Sequence, residues 1–326
     1  MNQLYPLKFK PIFKDKIWGG HQIKTKLGMD YGTLPNCGEA WLISGYGEDL
    51  TVVEDGFLTG NTVNELVEIY MGELVGDRIF EQYGNEFPLL IKFIDSNDWL
   101  SVQVHPDDAL SKKMQINGGK TEMWYILGAE KGAELISGFS QKVEKEEYLE
   151  RLNNQNLKEI LNYETVEKGD VFFIPSGRIH ALGPGTLLAE IQQTSDATFR
   201  IYDWDRIDNA GMSRELHTDA ALLALDFEVQ NEYKTKYEAK INQTSSLVEC
   251  PYFTTRLIEM DEPVVKNFQE LDSFVIYLVV EGRCSLTYAD GETDLKLGEA
   301  VLVPASIDNI GLHPKEKTKL LEIFIA

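Results

Sequence analysis

Residues 169–180 read Gly169-Asp-Val-Phe-Phe-Ile-Pro175-Ser-Gly177-Arg-Ile-His180, and this segment indicates the architecture of the chain. Its spacing is G-x5-P-x-G-x2-H. The run between the first glycine and the proline is rich in β-branched and aromatic residues, which is typical of a buried strand. Glycine and proline are the residues that tight turns favour. The segment therefore predicts a strand between two turns, with His180 beginning the element that follows.

The same skeleton occurs a second time, near the C terminus. Residues 298–309 read Gly298-Glu-Ala-Val-Leu-Val-Pro304-Ala-Ser306-Ile-Asp-Asn309. This copy has Ser306 in place of the second glycine and Asn309 in place of the histidine. Two copies of one strand-and-turn unit predict two similar β domains, of which only the first keeps the histidine.

The rest of the chain fits a mainly β protein with a few helices. Further strands are predicted at 186–193, 274–282 and 300–304, and helical patterns at 143–161 and 214–226. Thr62 and Glu65 form a capping box ahead of another short helix, with Leu66, Ile69 and Tyr70 on one face. The polar stretch 231–246 lacks periodicity. We therefore expect an N-terminal metal-binding, catalytic domain at 1–235 and a C-terminal domain without metal ligands at 236–326.

Composition excludes several classes of protein. The chain of 326 residues has 53 acidic and 31 basic side chains, a net charge of −22. Such a charge disfavours binding to nucleic acid or to an anionic membrane. The longest apolar stretches are far shorter than the roughly 20 residues of a membrane span. Three scattered cysteines and a start without a secretory pattern lead us to expect a cytoplasmic protein.

Four side chains in the N-terminal part have the chemistry of metal ligands. In Ser101-Val-Gln103-Val-His105, alternation places Gln103 and His105 on one face of a strand. Lys120 and Glu122 share the face of a second strand, and His180 lies on a third. Zinc favours imidazole nitrogen and carboxylate oxygen. We expect His105, Glu122 and His180 to bind one ion, with Gln103 as a fourth ligand or a partner of bound water; manganese, iron and cobalt remain open alternatives.

A second group of residues has the chemistry of an anion site. Glu190 and Gln192 lie on one face of a predicted strand. If the segment after residue 196 stays extended, one face carries Arg200, Tyr202, Trp204 and Arg206. Guanidinium groups match phosphate oxygens, and aromatic rings cover sugar faces. A sugar phosphate would fit this face; the alternative is a surface strand whose arginines pair with the neighbouring aspartates.

Taken together, these motifs resemble those of a known family. G-x5-P-x-G-x2-H is the second motif of the cupin superfamily. The ordered set SVQVHPDD, GKTEMWYIL, GDVFFIPSGRIHAL and QQTSDATFRIYDWDR resembles the type I mannose-6-phosphate isomerases, in their short bacterial form. The resemblance implies two cupin-like (jelly-roll) β-barrels and one zinc ion per chain. It places zinc ligands at Gln103, His105, Glu122 and His180, an active-site arginine at Arg200, and pocket residues at Ser101, Lys120 and Glu190. Arg206 corresponds to a basic residue of the family and is expected to bind substrate.

The resemblance also implies an activity, the reversible isomerisation of mannose 6-phosphate and fructose 6-phosphate. The reaction needs stabilisation of an enediolate, which a bound metal supplies as a Lewis acid, and a base that moves a proton between C1 and C2. Glu190 is the favoured base and Lys120 the competing one; Arg200 and Arg206 would hold phosphate or oxyanion. The expected partner is a hexose 6-phosphate, with no obligate protein partner. Rival interpretations are a non-catalytic sugar-binding bicupin, another metal-dependent cupin enzyme such as an oxygenase, and an isomerase of glucose 6-phosphate.

Overall fold

A computed structural model describes residues 3–207 and 211–326. The strands, in chain order, are β1 (Phe9–Lys10), β2 (Ile12–Lys14), β3 (Glu39–Ile43), β4 (Gly45–Tyr46), β5 (Asp49–Leu50), β6 (Val52–Val53), β7 (Leu89–Ser96), β8 (Val102–Val104), β9 (Glu122–Ala129), β10 (Glu134–Phe139), β11 (Leu161–Thr165), β12 (Val171–Ile174), β13 (His180–Leu182), β14 (Thr186–Gln193), β15 (Phe199–Tyr202), β16 (Gln243–Glu249), β17 (Thr254–Met260), β18 (Val264–Asn267), β19 (Val275–Glu281), β20 (Arg283–Tyr288), β21 (Gly291–Lys296), β22 (Ala300–Val303), β23 (Asn309–Pro314) and β24 (Thr318–Phe324). The helices are α1 (Gln22–Thr25), α2 (Val63–Tyr70), α3 (Gly72–Val75), α4 (Asp77–Tyr83), α5 (Asp108–Met114), α6 (Lys145–Asn153) and α7 (Thr218–Ala224), with a 3₁₀ turn at Leu157–Ile160.

Two antiparallel sheets form the N-terminal part. One has the strand order β12-β9-β14-β7-β3-β2 and the other β11-β10-β13-β8-β15. Alternate residues of each strand point between the sheets, where Ile94, Trp124 and Leu188 of the first sheet contact Leu135 and Leu182 of the second. The same alternation in β14 places Glu190 on the inner face, so the space between these sheets is where polar side chains can meet.

Two further antiparallel sheets form the C-terminal part. Their orders are β16-β17-β24-β19-β22 and β18-β23-β20-β21. Their facing side chains, such as Val279, Val301 and Leu320 against Leu286 and Leu312, form a separate apolar core. The helices are short and lie in connections between strands; α2 to α4 lie between β6 and β7.

One large core joins the two parts. It contains Phe93 and Ala189 from the outer face of the first six-stranded sheet, Leu66 from α2, and Ile276 and Leu321 from the C-terminal part. Leu7 near the N terminus also pairs with Leu302 of β22. Burial of apolar surface therefore fixes the second pair of sheets against the back of the first, away from the face that carries Glu190.

Most local predictions are confirmed. Strands occur at 171–174, 186–193, 275–281 and 300–303, and the capping box at Thr62 starts α2. Ile69 was expected on the buried face of that helix but is 56% exposed. The helical pattern at 143–161 is divided between α6 and the 3₁₀ turn, and the pattern at 214–226 forms only the seven residues of α7.

The polar segment before β16 lies along the first part of the chain. The Tyr233 hydroxyl donates to the carbonyl of Phe139 (2.9 Å), and that of Tyr237 donates to the carbonyl of Gly169 (2.7 Å). Aromatic hydroxyls thus attach a stretch without periodicity to the sheet edge. Among the helices described, none is long and apolar enough to cross a bilayer.

Candidate metal centre and substrate cavity

His105, Glu122 and His180 meet between the two N-terminal sheets. His105 follows β8, Glu122 begins β9 and His180 begins β13, and each is at most 1% exposed. Nε2 of His105 lies 3.5 Å from Oε2 of Glu122, and Nε2 of His180 lies 3.4 Å from Oε1. The candidate ligand atoms all lie within 4.8 Å of one another. Three distant segments therefore bring two imidazoles and a carboxylate to one point.

Hydrogen bonds orient both imidazoles for metal binding. Nδ1 of His105 is 2.8 Å from the carbonyl of Ala197, and Nδ1 of His180 is 2.8 Å from the carbonyl of Arg178. A carbonyl only accepts, so each Nδ1 carries the proton and each Nε2 presents a lone pair. Both Nε2 atoms and Oε2 of Glu122 are buried without a hydrogen-bond partner. Unpartnered buried donors and acceptors are costly, and a cation bound here would satisfy all three, so these residues fit a metal.

The protonation states agree with that fit. Burial lowers the pKa of His180 to about 4 and the pKa of His105 well below its ordinary value, so both imidazoles are neutral at pH 7. Burial and the charge of Glu190 raise the pKa of Glu122 to about 8. Neutral imidazoles are the form that binds metal. A cation would relieve the penalty on the Glu122 carboxylate.

Gln103 lies next to this centre. It is paired with His180 across the β8–β13 ladder and with Arg200 across the β8–β15 ladder, and it lines the adjoining cavity. Directly opposed residues of an antiparallel pair point to the same face. The geometry therefore places Gln103 beside His180, while its function as a fourth ligand stays a prediction.

A cavity of about 290 Å³ adjoins this centre and is lined by Glu122 and Gln103. Among the described residues its lining includes five basic side chains, Lys16, Lys92, Lys120, Arg200 and Arg214, and four acidic ones, Glu39, Glu122, Glu190 and Asp196. The remaining lining residues are Trp18, Ile94, Leu100, Ser101, Gln103, Trp124, Leu182 and Thr198. In a chain with a net charge of −22, this wall is locally rich in positive charge, which focuses the field on an anionic ligand.

One of the buried charged groups in the wall is Lys92, from β7. Its Nζ lies 2.8 Å from Oε1 of Glu190, and both side chains are 3% exposed. Burial alone would lower the pKa of Lys92, but the carboxylates of Glu190 and Glu39 raise it above its ordinary value. The pKa of Glu39, which burial alone would raise, is lowered to about 2 by Lys92 and Lys16. The three groups thus stay ionised inside the sheet pair.

Glu190 is held from both sides by neighbouring strands. It is paired in register with Lys92 on β7 and with Trp124 on β9, whose indole N–H donates to its Oε2 (2.7 Å). Burial by itself raises the pKa of this carboxyl, but the charges of Lys92 and Lys120 and these hydrogen bonds lower it below its ordinary value. Glu190 is therefore a fixed carboxylate with both oxygens in contact with a partner.

The C-terminal sheets repeat this cross-strand arrangement. On β24, Glu322 is paired in register with Tyr277 and Arg256, and it accepts from the Tyr277 hydroxyl (2.8 Å). Lys266 approaches the same carboxylate to 2.7 Å. Within the part of the chain that the structure describes, no second cluster of three metal donors accompanies it. The buried carboxylate with an aromatic donor and a cation thus belongs to the shared architecture, whereas the metal donors belong to the first copy.

Of the remaining predicted site residues, three line the cavity and one, Arg206, does not. Ser101, Lys120 and Arg200 line the cavity, and Nζ of Lys120 lies 3.5 Å from Oε2 of Glu122. Arg200 donates to the carbonyl of Glu215 (2.8 Å), while its Nε is buried without a partner. Burial, followed by the charge of Arg214, lowers the pKa of Arg200, so the two guanidinium groups are close enough to repel.

Arg206 does not line this cavity, contrary to the expectation from sequence. The extended strand stops at Tyr202, and Trp204 and Asp205 have φ values of 59° and 54°, which turn the chain. The guanidinium of Arg206 instead donates to the carbonyl of Trp99 and lies 3.4 Å from a carboxylate oxygen of Asp98. The alternation from Arg200 to Arg206 fails because it assumed an extended backbone.

Sequence reasoning missed Lys92, Glu39 and Arg214. A lysine inside the apolar run FPLLIKFI was a usable signal for Lys92, because a charge in a buried strand needs a buried partner. Glu39 lies in the segment Gly38-Glu-Ala-Trp41, whose pattern by itself predicts no function. Arg214 carried no signal, since neither its spacing from Arg200 nor its neighbours in the sequence predict a place in the cavity.

Comparison with known proteins identifies the family of this chain. The model "Phosphomannose isomerase type I, catalytic domain" matches residues 6–136, and "Mannose-6-phosphate isomerase, cupin domain" matches 243–318. The mannose-6-phosphate isomerase ManA of Bacillus subtilis is 35% identical over 318 residues, covering 94% of this chain and 96% of that protein. The mannose-6-phosphate isomerase of Streptococcus mutans is 34% identical over 303 residues, with 93% of each chain covered.

Solved structures agree on the fold. The crystal structure of the mannose 6-phosphate isomerase from Bacillus subtilis superposes with a TM-score of 0.87 at 32% identity, covering 98% of this chain and 99% of that one. An Archaeoglobus fulgidus protein, described as a putative mannosephosphate isomerase, shares the fold at 22% identity and a TM-score of 0.79, with 98% of each chain covered. The prediction of a mainly β, cupin-type protein is confirmed. The chain belongs to the type I mannose-6-phosphate isomerase family.

Proposed function

We propose that this enzyme interconverts mannose 6-phosphate and fructose 6-phosphate. The observation that carries the proposal is the trio of buried, unpartnered donors on His105, Glu122 and His180, of which Glu122 lines a cavity whose wall holds basic side chains. An aldose–ketose isomerisation needs stabilisation of an enediolate, which a bound metal can supply as a Lewis acid, and the phosphate needs cationic groups. Both requirements meet in one cavity of about 290 Å³.

The proposed cofactor is one zinc ion per chain. His105, Glu122 and His180 would hold it, with Gln103 adjacent, a set of nitrogen and oxygen donors that leaves a position for substrate. When bound, the metal supplies a Lewis acid that stabilises negative charge on the sugar oxygens.

The protein's own groups supply orientation and proton transfer. Arg200 presents a fixed guanidinium where negative charge develops on the enediolate. Lys120 reaches the carboxylate of Glu122, so we assign it the proton transfer between C1 and C2, in preference to Glu190. Glu190 is held between Lys92 and Trp124, and a carboxylate with a lowered pKa is a weaker base. Ser101, on the same wall, is assigned to substrate binding.

The architecture proposed for this activity is a pair of jelly-roll barrels. In this architecture the two N-terminal sheets enclose the site, and the two C-terminal sheets would form the second barrel, whose described residues include no cluster of three metal donors. We place the division between them near residue 235, in the polar segment that precedes β16.

A coupled assay with each hexose 6-phosphate tests the function. Metal-loaded enzyme should convert mannose 6-phosphate, lose activity on chelation and regain it with zinc, while glucose 6-phosphate should be a poor substrate. Sugar-phosphate binding without turnover would instead identify a non-catalytic bicupin, and oxygen consumption would identify an oxygenase. The metal-loaded variants Lys120→Gln and Glu190→Gln separate the two bases: exchange of the C2 hydrogen with solvent should stop in the first and persist, more slowly, in the second.

A further inference from the structure

We propose that Arg214 binds the phosphate group of the substrate, in the place that the family resemblance gives to Arg206. This inference rests on the proposed function and names a residue for substrate recognition. Arg214 lines the cavity together with Arg200, and Arg206 does not. Arg206 and Arg214 are eight positions apart, so the sequence alone does not suggest that Arg214 takes the place of Arg206.

Asp203 aims Arg214 at the cavity. Its carboxylate accepts from Nε of Arg214 at 2.8 Å and, through the other oxygen, from an NH₂ group of the same guanidinium. Asp203 is 5% exposed and directly follows β15, so the pair is attached to the end of a sheet strand. A bidentate contact of this kind fixes the plane of the guanidinium and leaves its remaining N–H groups for another acceptor.

The neighbouring Arg200 makes an anion favourable at this place. Two guanidinium groups line one wall, and the buried Nε of Arg200 has no partner. Asp196, four residues before Arg200, also lines the cavity. Its carboxylate would repel a phosphate, so binding of the phosphate depends on the directed N–H groups of an arginine. A phosphate dianion bound by Arg214 would relieve the repulsion between the two guanidinium groups and leave Arg200 available to the enediolate.

Arg206 has a different environment although it shares the same carboxylate. Its NH1 lies 3.4 Å from Oδ1 of Asp203, and its NH2 donates to the carbonyl of Trp99 and lies 3.4 Å from Asp98. These contacts close the turn at Trp204 and Asp205. Arg206 therefore belongs to this turn and not to the cavity wall. Its replacement removes one positive charge beside the same aspartate, while Arg214 keeps both of its hydrogen bonds to Asp203.

Arg214→Gln and Arg206→Gln are thus matched variants. With zinc-loaded protein, isothermal titration calorimetry gives the Kd for inorganic phosphate and for mannose 6-phosphate, and initial rates give KM and kcat. In Arg214→Gln we expect both Kd values to rise about 10-fold or more, with KM rising and kcat changing less than about threefold, because the phosphate is remote from the reacting carbons. Arg214→Lys should restore part of the affinity, since it keeps the charge and loses the fork. Arg206→Gln should leave phosphate affinity within about twofold and lower the melting temperature instead.

Unchanged phosphate affinity in Arg214→Gln would overturn the inference, and so would an equal loss in both variants, which would reflect total charge. A wild-type enzyme without affinity for phosphate would also overturn it. Turnover of mannose 6-phosphate by the wild type reports on the proposed function separately. An active enzyme with unchanged Arg214→Gln binding would leave the function standing and remove Arg214 from it.

Discussion

Replacing Lys92 by methionine should reveal how strongly the cavity wall depends on one buried charge. Lys92 lies 2.8 Å from Glu190 and its charge also lowers the pKa of Glu39, and all three side chains are buried. Methionine matches the length of the side chain but removes the cation. Two buried carboxylates would then lose their main compensating charge. Breaking a buried pair from one side costs about 3–5 kcal/mol, so we expect a loss of that size in the free energy of unfolding at pH 7.

The measurement is urea unfolding of metal-free wild type and variant, followed by tryptophan fluorescence. Lys168→Met is the matched control, because Lys168 makes an ion pair of similar length with Glu281 (2.7 Å) while its side chain is 55% exposed. A surface pair contributes about 0–1 kcal/mol, so the control should unfold almost as the wild type does. The double variant Lys92→Met/Glu190→Gln should recover part of the loss, because it removes one uncompensated charge.

The pH dependence gives a second check. In the wild type the pKa values of Glu39 and Glu190 are lowered, so their contribution to stability is present above the unfolded value of about 4.3 and is lost as the pH falls through the folded values. Without Lys92, burial raises both folded pKa values, and the folded state then takes up protons more readily than the unfolded state. The difference in the free energy of unfolding between wild type and Lys92→Met should therefore become smaller as the pH falls from 7 towards 4.5. A loss below about 1 kcal/mol, or a gap that widens on acidification, would refute the reasoning.

Two further substitutions test the site itself. His180→Ala should lower metal affinity by more than about 100-fold, because a ligand is lost. The control is His313→Ala: the wild-type imidazole of His313 contacts Thr287 at 3.0 Å in the C-terminal sheets, so this variant should keep the wild-type metal content, measured by elemental analysis after dialysis. Equal metal content in both variants would remove His180 from the centre. Arg200→Ala should keep the wild-type metal content and circular dichroism spectrum, while kcat should fall by about 10²–10³-fold, the scale for loss of one preorganised donor at a developing oxyanion. A near-normal kcat at full metal content would leave Arg200 without a catalytic function.

The sequence alone determined those features that depend on neighbouring residues. Alternation along SVQVHPDD placed Gln103 and His105 on one face, because successive side chains of a strand point to opposite faces whatever the strand pairs with. The same rule placed Lys120 beside Glu122, and the two nitrogens and the carboxylate meet as expected. The capping box at Thr62 was equally local, since its two hydrogen bonds lie within four residues.

The features that only the tertiary structure decided depend on which distant segments become neighbours. Lys92 meets Glu190 because β7 pairs with β14 in one register, and a shift of one residue would turn the lysine to the opposite face. Positive φ at Trp204 and Asp205 turns the chain away from the extended path that would have presented Arg206, and Arg214 lines the cavity instead. Strand register and loop path are set by the packing of the whole sheet pair, and no periodicity within a single segment encodes them.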